Sequence, residues 1–247
     1  SIVEKFSNLF KKSCNKLFKT PPVSSYVFIT SMISGYPVGA KMTADLYLSG
    51  KITKSDAFKM TSFCSTSGPM FIIGAVGIGM LKNATFGYII FISHILGALL
   101  NGLLYRNIKV KEEKIEYTEK TNTQNLSTMV IDSALSIITV GTIIAIFFVV
   151  ITSLSPIFNL FPPQISCVLE GIIEITKGCL DISTNIHGAF SVVACTFVIS
   201  FGGISTILQS ITMLNILRMP IKLFILQKVT HTILSTIISL LLVTILL

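Results

Sequence analysis

The sequence has no tryptophan, three histidines and little charge: Asp, Glu, Lys and Arg make up 12% of its 247 residues. An average soluble domain carries about 25%. With 51% apolar residues and a mean hydropathy of +0.80, the chain cannot coat itself with a polar shell. That excludes a soluble enzyme, and the apolar content excludes disorder. No Gly-X-Y period exists, so collagen is excluded. Five Cys without a CxxC, and His94, His187 and His231 far apart, exclude a disulfide scaffold and a zinc site. HExxH, P-loop and GxSxG motifs are absent, so nothing points to an enzyme or a cofactor.

What remains is a chain for the bilayer. The net charge of +8 sits between apolar spans, with Lys5, Lys11, Lys12, Lys16 and Lys19 near one end and Arg106, Lys109, Lys111, Lys114 and Lys120 in the middle. That distribution sets orientation through the positive-inside rule and is not a nucleic-acid footprint. Residues 1–20 predict an amphipathic helix with Phe6, Leu9, Phe10 and Phe18 opposite the lysines, ended by Pro21-Pro22. It lies either in the membrane interface or on the protein's own cytosolic side. With no continuous apolar core and no cleavage site it does not read as a signal peptide. Starting at Ser1, the chain reads as a trimmed or partial sequence.

Val23–Ile33 is apolar but about half as long as the roughly 20 residues of a spanning helix. Gly35-Tyr36-Pro37-Val38-Gly39 then breaks it, and Met42–Ser49 resumes a helical pattern. Two half-length helices joined by such a tip predict a re-entrant hairpin. Thr53 with Asp56 predicts an N-cap opening an apolar helix to Leu81, interrupted at Ser65-Thr66-Ser67-Gly68-Pro69. Phe86–Tyr105 is long enough to span. Residues 106–126 form a charged loop, expected in the cytoplasm, and Met129–Leu154 spans.

Residues 164–185 are again short and polar for a span, with Glu170, Glu174, Lys177, Asp181 and Gly178. His187–Met213 is a long run broken at Ser200-Phe201-Gly202-Gly203. Arg218, Lys222 and Lys228 mark a basic loop before a last span, Val229–Leu247. Both halves thus predict a hairpin with a Gly-bearing tip, a broken helix and a spanning helix. The expectation is two inverted repeats, 21–105 and 127–247, in an all-α polytopic membrane protein. Corresponding interruptions of this kind point to a transporter site.

A half-helix N-terminus at membrane depth offers free N–H groups and a positive dipole end, which favours an anion or a carbonyl-bearing solute. The expected binding set is Ser34, Gly35, Tyr36, Pro37, Gly39 and Lys41 from the first tip; Ser65, Thr66, Ser67 and Gly68 from the first break; and Ser200, Gly202, Gly203, Ser205 and Gln209 from the second. Lys41 either draws an anion or pairs with Asp45 one turn on. Gln209 bonds either a ligand or a neighbouring helix. Glu170 and Glu174, one turn apart, suit a coupling H+ or Na+ if buried; the alternative is a solvated face with a Glu174–Lys177 pair. Thr176 and His187 complete the coupling or gating set, His187 because it opens the broken helix. The expected partners are the bilayer, a small anionic solute and, as an open alternative, a second copy of the chain.

The string Ser34-Gly35-Tyr36-Pro37-Val38-Gly39-Ala40-Lys41, with Ser67-Gly68-Pro69-Met70-Phe71-Ile72-Ile73-Gly74-Ala75-Val76-Gly77, resembles the YlbJ-type sporulation integral membrane proteins of the nucleoside-recognition, or Gate, domain group. Glu170, Glu174-Ile175-Thr176, Gly178, Ser200-Phe201-Gly202-Gly203 and Gln209-Ser210 look like that family's second half. Members of the group usually carry further N-terminal membrane segments. The resemblance implies a fold like that of concentrative nucleoside transporters. It also implies carriage of dipicolinic acid across the outer forespore membrane of a spore-forming bacterium. A nucleoside or nucleobase carrier and a non-transporting scaffold of a sporulation complex are the alternatives.

Overall fold

A computed structural model describes residues 11–111 and 126–247. Residues 1–10 and most of the charged loop, both singled out above, lie outside it. Among the described residues the chain is helical throughout, without a strand.

Lys11–Phe18 is a short helical piece. After Pro21-Pro22 comes α1 (Val23–Ser34), a turn at Gly35-Tyr36-Pro37 with a cis Tyr36–Pro37 bond, and α2 (Val38–Leu48). α1 and α2 pack on each other as the expected hairpin. Gly35 sits at φ +80°, a left-handed conformation that glycine adopts without a Cβ clash. α3 (Lys54–Met60) opens with a complete capping box between Thr53 and Asp56. The chain then unwinds and re-forms at α4 (Met70–Met80), wound as a π-helix. Asn83 caps α5 (Ala84–Tyr105) through Thr85 and Phe86 N–H.

α6 (Leu126–Phe158) is the longest helix, with Pro156 in its last turn. Pro162-Pro163 then start α7 (Pro163–Ile173), followed by α8 (Ile175–Asn185). The second tip is Glu174, held extended at φ −143°, ψ 122°, and not a glycine. Gly178 serves a different purpose: its Cα faces Gly171 so closely that a Cβ there would run into Gly171 backbone. α9 (Ala189–Phe201) and α10 (Gly203–Leu214) are divided at Gly202, which is left-handed at φ +87°. α11 runs Ile221–Leu246, so Lys222 and Lys228 belong to this helix and not to a loop. The helix starts early because Pro220 is extended and ends the preceding turn, which leaves nothing to break the helix after it.

Among the described residues, four stretches are long and apolar enough to cross a membrane: Ala84–Tyr105, Ile137–Phe158, Ala189–Leu217 and Ile221–Leu246. α5, α9 and α11 pack together as the centre of the molecule. Two buried clusters flank them, one around Phe58, Met60 and Phe224, the other around Ile72, Ile89 and Val198. The α6 span is only 6% buried. With Ile137, Ile138 and Val149 open, its surface is one that lipid covers at no hydrophobic cost.

Candidate functional site

Backbone polar groups at membrane depth must be satisfied inside the protein. The break between α3 and α4 meets that demand with side chains from elsewhere. Ser31 Oγ donates to the Cys64 carbonyl, and Lys228 Nζ donates to the Ser65 carbonyl at 2.8 Å. Thr66 Oγ1 bonds Ser31 Oγ at 3.1 Å. Ser67 N–H donates to His94 Nε2 at 2.9 Å. Because Nε2 accepts, Nδ1 carries the proton and donates to Ser200 Oγ at 2.9 Å. His94 therefore ties the first break to the second. His231 Nε2 donates to the His94 carbonyl at 3.0 Å, with the two rings 4.8 Å apart.

The two tips meet these breaks. A Cβ on Gly35 would stand 3.0 Å from Gly68 N, so the first tip touches the first break through two glycines. A Cβ on Gly202 would stand 3.4 Å from Tyr36 Oη, and one on Gly203 within 3.3 Å of the Ile173 and Gly171 carbonyls. The second break thus lies between both tips. The two tips, the first break and α10 border a partly open cavity of about 260 Å³. It suits one substituted ring. Ser34, Gly35 and Tyr36 line it from the first tip; Ser67, Gly68, Met70 and Phe71 from the first break. Glu174 and Thr176 come from the second tip, and Thr206 and Gln209 from α10. Val140 and Ile144 of α6 close one side. The first turns of α4, α8 and α10 all reach the cavity, so three positive helix ends converge there.

Glu174 is fully buried. Its Oε2 caps α8 by accepting from Lys177 N–H at 2.8 Å, while Oε1 has no partner. Gln209 Nε2 is likewise buried and unpartnered. Two residues of the cavity lining therefore carry an unused acceptor and an unused donor, a pattern that a polar ligand completes. The Oγ atoms of Ser65 and Ser205 are also buried without partners, although neither residue lines the cavity.

Other expected residues lie elsewhere. Lys41 is exposed on α2 and lines a separate cleft with Asp45, Thr212, Asn215 and Arg218. Glu170 and Glu174 have separate partners, because the helix ends at Glu174, whose backbone is extended: Glu170 bonds Ser166 and pairs with Lys177 at 3.5 Å. The Lys177 ammonium goes to Glu170 and Asp181 and leaves Glu174 alone. His187 is exposed between α8 and α9. Pro37 shapes the first tip, and Gly39 admits the Cys64 carbonyl against its Cα. Lys228, His94, His231 and Ser31 were not among the expected site residues. Polar side chains inside apolar helices are the signal that marks them.

Unwound segments between short paired helices define the class as a polytopic helical membrane protein with a partly open, mainly apolar cavity that carries a few polar groups. The chain is 39% identical over 105 residues to the sporulation integral membrane protein YlbJ of Bacillus subtilis (strain 168). That alignment takes in 42% of this chain and 26% of YlbJ, so the match spans about a quarter of the relative's length. The resemblance to YlbJ-type membrane proteins read from the motifs is borne out over that stretch. No family model and no solved structure matches the chain.

Proposed function

We propose that this chain forms the solute-binding part of a sporulation-related secondary transporter that moves a small anionic aromatic solute by alternating access. Dipicolinic acid crossing the outer forespore membrane is the leading case. The observation that carries the reading is the cavity at which both hairpin tips, the first helix break and α10, the helix that follows the second break, meet. Three helix N-termini there favour negative charge. The order hairpin, broken helix, spanning helix recurs in both halves, as two inverted repeats rocking about a fixed site require. Glu174, buried with one free oxygen, is the coupling residue: it takes up a proton or Na+ together with the anion and so removes the repulsion between two negative charges.

A second reading has its own support. The free Glu174 oxygen and Gln209 amide, beside Tyr36 and Phe71, offer the acceptor, donor and stacking surface that a nucleobase uses. Uptake of radiolabelled dipicolinate into proteoliposomes, with excess nucleoside as competitor, separates the two. Uptake that survives the nucleoside supports the anion carrier. Nucleoside uptake with no dipicolinate uptake selects the second reading. No uptake of either under H+ or Na+ gradients leaves a membrane scaffold.

A further inference from the structure

Lys228, two turns into α11, is 2% exposed. No carboxylate of the described residues forms an ion pair with it. Its Nζ donates to Tyr36 Oη and to the Ser65 carbonyl, both at 2.8 Å, and lies 4.3 Å from the Tyr36 ring centre. A carbonyl and a phenol need only a neutral donor. A buried unpaired ammonium costs several kcal/mol more than a neutral group in the same place. Backbone satisfaction accounts for the Ser65 contact of Lys228; the contact to a phenol that lines the cavity lies beyond it.

The phenol shows where that charge is directed. An ammonium only donates, so Tyr36 Oη accepts from Lys228 and its own O–H is free for another acceptor. Among the described residues that O–H has no protein acceptor. Tyr36 lines the cavity between the tips and breaks. A phenol whose oxygen already accepts from an ammonium is polarised into a stronger donor.

We infer that Lys228 and Tyr36 form the carboxylate-recognition pair of the cavity, with Tyr36 O–H donating to a substrate carboxylate and Lys228 supplying the positive charge behind it. This rests on the carrier reading above and assigns the anion-binding charge to α11, not to Lys41 at the first tip. It also gives the site two complementary groups. The donor, Tyr36, lines the cavity from the first tip with Lys228 buried behind it, and the proton- or cation-accepting Glu174 lines it from the second tip. A solute with a carboxylate at one end and a hydrogen-bonding ring edge at the other satisfies both.

The test is equilibrium binding of dipicolinate and of its neutral diamide, pyridine-2,6-dicarboxamide, to the purified protein in nanodiscs, alongside Lys228→Met and Tyr36→Phe. Wild type is expected to prefer the dicarboxylate. Each variant is expected to weaken dipicolinate binding about 10- to 100-fold, the range of a lost charge-assisted hydrogen bond, and to change diamide binding less than about threefold. Variants that keep the wild-type preference for the dicarboxylate overturn the assignment while the carrier reading stands. Wild type that binds a nucleoside but no dicarboxylate overturns both. If Lys228→Met loses every ligand through misfolding, Tyr36→Phe decides, because it keeps the Lys228–Ser65 bond: a retained preference overturns the pair, and a lost preference supports it.

Discussion

Glu174→Gln separates the two tasks of one buried side chain. The carboxylate caps α8 through Oε2 and leaves Oε1 free in the cavity wall. A glutamine amide oxygen can still accept from Lys177 N–H, so the cap survives. The variant loses the attraction of a negative charge to the α8 N-terminus, about 0.3–1 kcal/mol. It is also relieved of an unpaired buried charge, which offsets that loss. Net stability should stay within about 1 kcal/mol of wild type. Glu174→Ala, by contrast, removes the cap and costs about 1 kcal/mol.

Transport should respond quite differently. A one-unit pH gradient, or a tenfold Na+ gradient, stores about 1.4 kcal/mol per ion and supports at most about tenfold accumulation through one coupled ion. Glu174→Gln, unable to exchange that ion, should level at a ratio of about one, while solute exchange between preloaded vesicles and medium continues. Proteoliposome accumulation and counterflow, measured on the same preparation, read both quantities. Gradient-driven accumulation equal to wild type in Glu174→Gln would refute the coupling role.

His94→Ala deletes the bridge between Ser67 and Ser200 and leaves a buried N–H without a partner, a loss of about 2–4 kcal/mol that thermal unfolding in detergent would register. Gly178→Val forces α8 off α7 where their backbones touch, with an expected cost of about 1–3 kcal/mol and loss of uptake; a wild-type melting temperature would contradict the close packing. Lys41→Ala should leave uptake within about twofold of wild type, because the ammonium is exposed and lines a different cleft; abolished uptake with normal insertion would return Lys41 to the site.

Local chemistry made much of this architecture readable. Pro21-Pro22, Tyr36-Pro37, Ser67-Gly68-Pro69 and Gly202-Gly203 end or interrupt helices whatever surrounds them, and the structure breaks at each. Thr53 with Asp56 is a cap written within four residues, and it forms as expected. The second tip was less legible. Gly178 carries the stronger local turn signal, yet the chain turns at Glu174, because Gly178 is needed where two helix backbones meet and a self-capping acidic residue can start a helix.

Segment lengths, breaks and apolar content thus determined, without any tertiary knowledge, that this is a helical membrane protein with interrupted helices. Which side chains complete the interruptions was decided only in three dimensions. Ser67 finds its acceptor 27 residues away on α5, and Ser65 finds its donor 163 residues away on α11. A broken helix creates unmet backbone groups by a local rule. The groups that satisfy them are set by helix packing, which turned Lys228 from a loop charge into a buried partner of the first tip and left Lys41 outside.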